Sequence, residues 1–194
     1  MALCEPAILA RAAAAAAVVA GISGTVVTPA AHAEPEIPLL TLIDAAAQRL
    51  QTADPVAAYK YRTGGAVDDP TREQQVIDSV TAAAGANHID PAYVGDIFRN
   101  QMDATSSVEY TRFAQWKIDP AAVPATAPDL AQTRMMIDRL NQTMVREMAA
   151  QWDELHAPTC PANRDAAMTA VTASRGLDAV YQSALAYATH AYCG

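Results

Sequence analysis

The chain has 194 residues, 52% of them apolar and 6% aromatic, and a formal net charge of −8. That length is enough for one domain with a sizeable core. The acidic balance argues against nucleic acid and anionic membrane as partners, and with only 13 Lys and Arg against 21 Asp and Glu it makes any inward cluster of cations informative.

Residues 1–33 read as a cleaved signal peptide. Arg11 precedes the apolar run AAAAAAVVAGISGTVV, and the stretch ends in Ala31-His32-Ala33, an A-x-A cleavage pattern. The run is too short, and too interrupted by Gly21 and Gly24, to anchor in a bilayer. No later segment has the length and apolarity to span a membrane. Cleavage after Ala33 leaves residues 34–194 as one domain. Glu5 and Arg11 leave together, so the net charge stays at −8.

No alternating apolar pattern marks a strand, and Ala, Gln, Met, Leu and Arg dominate. The expected fold is all-α, a single-domain helical bundle. Four Asp-Pro pairs, at 54–55, 69–70, 90–91 and 119–120, punctuate the chain. Asp at the N-cap followed by Pro at the first helical position is a helix start, and the first three pairs fit it well. A first helix is predicted over 38–63, kinked or restarted at Asp54-Pro55 and ended by Gly64-Gly65. A second runs from Pro70 to near Gly85, and a third from Pro91 to about Lys117. The Pro-rich stretch 119–128 connects to a fourth, from Asp129 to about His156.

Cys4 departs with the signal peptide. Cys160 and Cys193 remain, an even number in an exported chain, and a disulfide between them is expected. Were residues 161–192 one straight helix, at about 1.5 Å per residue the two sulfurs would lie roughly 50 Å apart, whereas a disulfide needs Cα atoms within about 7 Å. The segment therefore folds back. Arg175-Gly176 is the turn signal, giving a hairpin of two helices, roughly 163–174 and 177–192, stapled at its open end.

Several helical stripes carry polar residues where core is expected. In the first helix the stripe is Leu42, Ala46, Arg49, Ala53, Val56 and Lys60; Arg49 and Lys60 are 11 residues apart, about three turns, and nearly eclipsed. Arg72 heads the stripe Arg72, Val76, Val80, Ala83. The third helix presents Phe98, Met102, Thr105, Glu109, Phe113 and Trp116 on one face, which sets Thr105 and Glu109 among large apolar groups. The fourth presents Leu130, Arg134, Ile137, Asn141, Met144, Met148 and Leu155. Taken singly these have ordinary explanations: a lone Arg snorkels to solvent, a core Thr is satisfied locally, and Glu109 pairs with an arginine. Taken together, four helices turn a cation or hydrogen-bonding group inward, and the cations outnumber the inward acid. That pattern fits a site for a small dianion. His88, His156 and His190 are not at metal spacing with one another, and neither a nucleophile triad nor a Gly-rich phosphate loop is found.

The spacing of Arg49, Lys60, Asp69, Arg72, Thr105 and Glu109 resembles the all-helical chorismate mutases of the AroQ type. The signal peptide, Arg134 and the C-terminal hairpin with Cys160 and Cys193 look like the exported gamma subclass, above all the mycobacterial secreted enzymes. The blocks DAAAQRLQTADPVAAYKYR, HIDPAYV, EYTRFAQWK and APTC carry the likeness over nearly the whole mature chain.

The resemblance implies the Claisen rearrangement of chorismate to prephenate, without cofactor or metal. It implies that Arg49, Arg72 and Arg134 hold the two substrate carboxylates and that Lys60 and Glu109 flank the ether oxygen. Thr105 would hydrogen-bond a carboxylate, and Asp69 would place the ring hydroxyl through its backbone, with Glu73 or Gln75. Secreted members carry Gln one turn after the arginine, where this chain has Val76. The resemblance also implies secretion or export to the periplasm, a site complete within one chain, and a homodimer. The rival reading is a non-catalytic exported bundle that binds a small carboxylate or a protein partner.

Overall fold

The computed structural model describes residues 37–126 and 129–194; the expected signal peptide lies outside them. Among the described residues the chain is all-helical, with no strand. The helices are α1 (Leu40–Gln51), α2 (Ala53–Thr63), α3 (Pro70–Ala86), α4 (Pro91–Ile118), α5 (Leu130–Ala150), the single turn α6 (Trp152–Leu155), α7 (Cys160–Arg175) and α8 (Ala179–Thr189), with a short 3-10 turn at Pro120–Ala122.

The Asp-Pro pairs act as N-caps at three of four places, though not the expected three. The Asp69 side chain accepts from Arg72 N–H, that of Asp90 from Ala92 N–H, and that of Asp119 from Ala121 N–H at the 3-10 turn. Asp129 and Asp178 cap α5 and α8 in the same way. Asp54 does not cap: it lies in the first turn of α2, and the helix breaks earlier, at Thr52. The reason is geometric. Pro55 has no N–H for the carbonyl four residues back, at Gln51, and its ring crowds that carbonyl. The disruption therefore falls ahead of the proline. Thr52 stabilises the break by donating its hydroxyl to Arg49 O at 2.6 Å.

α1 is the centre of the molecule. Leu42, Ile43, Ala45, Ala46, Ala47, Arg49 and Leu50 are all buried, and α4, α5, α7 and α8 pack around it. The run of alanines lets these neighbours approach closely. Leu39, just before α1, takes φ 62 with its side chain fully buried. Its N–H is held by Gln151 Oε1 at 2.6 Å, which compensates a backbone region that a branched residue rarely enters. Ion pairs fasten the outside: Arg175 at the end of α7 grips Asp44 of α1, and Arg112 of α4 reaches Asp54 of α2 at 2.6 Å.

The C-terminal hairpin forms as expected. Gly176 at φ 59 ends α7, and Cys160 and Cys193 are joined with Cα atoms 5.7 Å apart. Two details differ from the sequence reading. α7 begins at Cys160 itself, and α7 and α8 pack mainly against α1 and α4 rather than against each other. The staple thus clamps two helices astride a third. Opening it, as Cys160→Ser/Cys193→Ser or by reduction, releases a loop of 33 residues of sequence separation and is expected to cost about 3–4 kcal/mol in urea unfolding. A midpoint insensitive to reductant would show that helix packing alone sets the stability.

Candidate active site

A half-enclosed hollow of about 650 Å3, its open mouth included, lies between α1, α2, α3, α4 and the first turns of α5. Its wall contains Arg49, Lys60, Arg72, Arg134, Asp69, Glu73, Thr105 and Glu109. The structure thus brings together every predicted site residue but one. Gln75 is exposed on α3 and is no part of the wall. The inward side of α3 runs through Arg72, Glu73 and Val76, so position 75 turns to solvent.

Each group arrives by local rules. The break at Thr52 keeps α1 and α2 close enough in phase that Arg49 and Lys60 share one wall. Asp69 has two partners: Oδ1 caps α3 at 3.1 Å from Arg72 N, and Oδ2 accepts from Arg134 at 3.0 Å at the rim. Glu73 Oε1 accepts the Asp69 N–H at 3.4 Å. Gly64, at φ 70, turns the chain out of α2. The loop after it brings Val67 O to within 2.5 Å of Lys60 Nζ. Sequence reading misses Val67, because a backbone carbonyl leaves no mark in side-chain pattern.

The electrostatics correct one expectation. The sequence suggests cations without enough protein acid nearby, yet three of the four have carboxylate partners: Lys60 with Glu109 at 3.0 Å, Arg72 with Asp138 at 2.5 Å, and Arg134 with Asp69. Each of these acids lies on another helix or at its cap, far off in sequence, where linear reading does not see it. Arg49 is different. It is buried, and donates only to neutral groups: Asn141 Oδ1 at 2.7 Å and Thr105 Oγ1 at 3.3 Å. Burial brings its pKa down to about 10, leaving it charged at neutral pH. Thr105 in turn donates its hydroxyl to Gln101 O at 2.7 Å.

Glu109 is buried, and burial pushes its pKa up to about 7, against the pull of Lys60. Four cations and three carboxylates line the hollow. Asp138, outside the wall but bonded to Arg72, makes a fourth carboxylate, so the cations are balanced while Glu109 is ionised. Protonating Glu109 leaves one positive charge in excess and turns Glu109 into a hydrogen-bond donor.

The family described as chorismate mutase type II matches residues 40–110. A secreted chorismate mutase of Mycolicibacterium smegmatis is 63% identical over 166 residues, 86% of this chain and 92% of that protein. The chain belongs to the chorismate mutase family. A secreted chorismate mutase of Mycobacterium tuberculosis is 43% identical over 165 residues, 85% of this chain and 83% of that protein. The crystal structure of a chorismate mutase from Burkholderia thailandensis superposes with a TM-score of 0.77 at 32% identity, covering 81% of this chain and 100% of that one. The segment matched by the mutase family contains all the wall residues named above except Arg134, which α5 contributes from beyond it.

The raised pKa of Glu109 has a thermodynamic consequence. The folded chain keeps this proton to about pH 7, whereas an unfolded Glu releases it near 4.5. Relative to Glu109→Gln, wild type is therefore expected to lose stability as pH rises from about 4.5 through 7. Chemical denaturation of both proteins across that range checks it; parallel profiles would mean that Glu109 has an ordinary pKa.

Proposed function

We propose that the hollow binds chorismate and rearranges it to prephenate, making this chain a chorismate mutase, an isomerase that works outside the cytoplasm. The observation that carries the reading is the juxtaposition of Lys60 and Glu109 on one wall of a cation-rich cavity. A mere carboxylate binder has no use for an acid facing its anion. A mutase does: a protonated Glu109 and the Lys60 ammonium both donate to an oxygen that gains negative charge.

The chemistry asks for little else. In the rearrangement one C–O bond breaks as one C–C bond forms within a single molecule, with no covalent enzyme step and no proton transfer. Rate comes from holding the flexible enolpyruvyl ether in its reactive conformation and from donors fixed where charge develops. In this reading Arg49, Arg72 and Arg134 grip the two carboxylates, for which guanidinium forks are suited. Arg72 and Arg134 exchange Asp138 and Asp69 for substrate. Lys60, oriented by Val67 O, and Glu109 stand at the ether oxygen. Thr105 turns its hydroxyl from Gln101 O to a carboxylate, and Asp69, through its backbone, places the ring hydroxyl with Glu73.

The family relatives are secreted proteins by name, and no helix among the described residues is long and apolar enough to cross a membrane. We extend the reading to cleavage after Ala33, to a site complete within one chain and to a homodimer, which N-terminal mass spectrometry and analytical ultracentrifugation of the exported protein test.

Chorismate loss followed in the ultraviolet, with prephenate confirmed by acid conversion to phenylpyruvate, should be fast in the presence of chelator. A folded, disulfide-bonded protein that gives no acceleration would leave the carboxylate-binding bundle. Lys60→Ala and Arg134→Ala are each expected to lose at least about a hundredfold in kcat/KM while remaining folded by circular dichroism. Wild-type rates would remove that residue from the site. Wild-type activity should decline as pH rises through about 7, while Glu109→Gln, whose amide donates at any pH, should hold its rate further into the alkaline range. Superimposable pH–rate profiles would show that Glu109 does not act as a donor.

A further inference from the structure

Arg49 occupies a setting that the other three cations of the hollow do not share. Its guanidinium lies over the Phe98 ring, 5.8 Å from the centroid, and donates to Thr105 and Asn141. Among the described residues no carboxylate lies within ion-pair distance of it, while Lys60, Arg72 and Arg134 each have one. Its short bond is the one from Nε to Asn141 Oδ1, at 2.7 Å between two buried side chains 92 residues apart in sequence. Asn141 itself is 3% exposed and is not part of the wall. It stands behind Arg49.

A guanidinium is a rigid planar fork, so fixing Nε fixes the plane. With Nε held by Asn141 and one terminal nitrogen shared with Thr105, the rest of the fork has one orientation against the hollow. A carboxylate at position 141 would accept from Nε equally well and is the usual partner of a buried arginine. It would also cancel the charge and compete with the ligand for the same donors. α5 shows both solutions one turn apart. It gives the partly buried Arg72 the carboxylate of Asp138, and the buried Arg49 the amide of Asn141.

We propose that Asn141 is a positioning residue for Arg49: its neutral amide oxygen sets the guanidinium plane at Nε and leaves the full positive charge for a carboxylate of the dianionic substrate. This rests on the mutase reading above. It adds a requirement that a residue remote from the reacting atoms be an acceptor and be uncharged.

The test is Asn141→Asp in the full-length exported protein. It changes the charge and not the shape. The variant is expected to unfold at or above the wild-type temperature, because a buried ion pair replaces a neutral bond. KM for chorismate and the inhibition constant of prephenate, also a dicarboxylate, are expected to rise together by about tenfold or more, with kcat less affected. Unchanged KM and prephenate inhibition in a folded variant would overturn the proposal, as would losses that track a lowered unfolding temperature. A cycle with Asn141→Ala, Arg49→Lys and the double variant stands independently of how the aspartate folds. Losses in kcat/KM that add fully would overturn positioning, and a double loss smaller than the sum would support it. An inactive wild type would dismiss the mutase reading itself, whereas an active wild type with an indifferent Asn141→Asp dismisses only this step.

Discussion

A guanidinium buried without a carboxylate is the constraint around which this molecule is built. Arg49 sits on the most enclosed helix, 4% exposed, with only an amide, a hydroxyl and an aromatic face beside it. Removing a cation from water is costly unless its donors are met, and an all-helical fold has few spare acceptors, since its backbone carbonyls are spent within the helices. Side chains must supply them, and they come from two other helices: Thr105 and Phe98 from α4, Asn141 from α5. Placing α1 at the centre of the bundle makes this possible. A helix packed on one side only could bury its apolar stripe but could not bring two partners to opposite edges of one guanidinium.

The other cations show how the hollow stays tolerable before a ligand arrives. Lys60, Arg72 and Arg134 each rest against a carboxylate, but the three pairs differ in exposure. The Arg134–Asp69 pair is about two-fifths exposed on both sides and the Asp138 carboxylate is half exposed, whereas the Glu109 side chain is only 5% exposed. Pairs that reach water exchange partners at little cost. The inner pair does not have that freedom, and burial instead raises the affinity of Glu109 for a proton. The gradient runs from exchangeable ion pairs at the rim to a proton-binding acid within. It suits a ligand whose carboxylates are grasped at the mouth and by Arg49, and whose uncharged ether enters the drier part.

How much of this is legible in the sequence depends on the range of the interaction. Stripes of period 3.6 locate Arg49, Lys60, Arg72, Thr105, Glu109 and Arg134, because which face a side chain occupies is a local property of the helix. Caps are legible for the same reason, and Asp69, Asp90 and the Gly176 turn fall where their chemistry puts them. The break in the first helix, expected at Asp54-Pro55, lies instead at Thr52, because a proline acts on the carbonyl one turn upstream and not on itself. Gln75 cannot be separated from Glu73 by spacing alone, which does not say which flank of the Arg72 stripe faces the cavity. The ion pairs of Arg72 with Asp138 and of Arg134 with Asp69, 66 and 65 residues apart, cannot be read at all. Asn141 is visible as a polar residue on an apolar stripe, but its meaning lies in Arg49, on a helix 92 residues away.

The C-terminal hairpin is remote from the hollow and yet belongs to the same design. Residues 40–110, the part matched by the family, supply α1 to most of α4. On their own they would leave the far side of α1 open, since it is α7 and α8 that cover it. α8 is short, and the residues just beyond it tie it down: Tyr192 is fully buried, its carbonyl accepts from Tyr93 at 2.6 Å, and Cys193 is joined to Cys160. The disulfide therefore fixes more than a chain end. It holds the cover on the helix that carries the buried cation, and so contributes to keeping that cation dry and in one place.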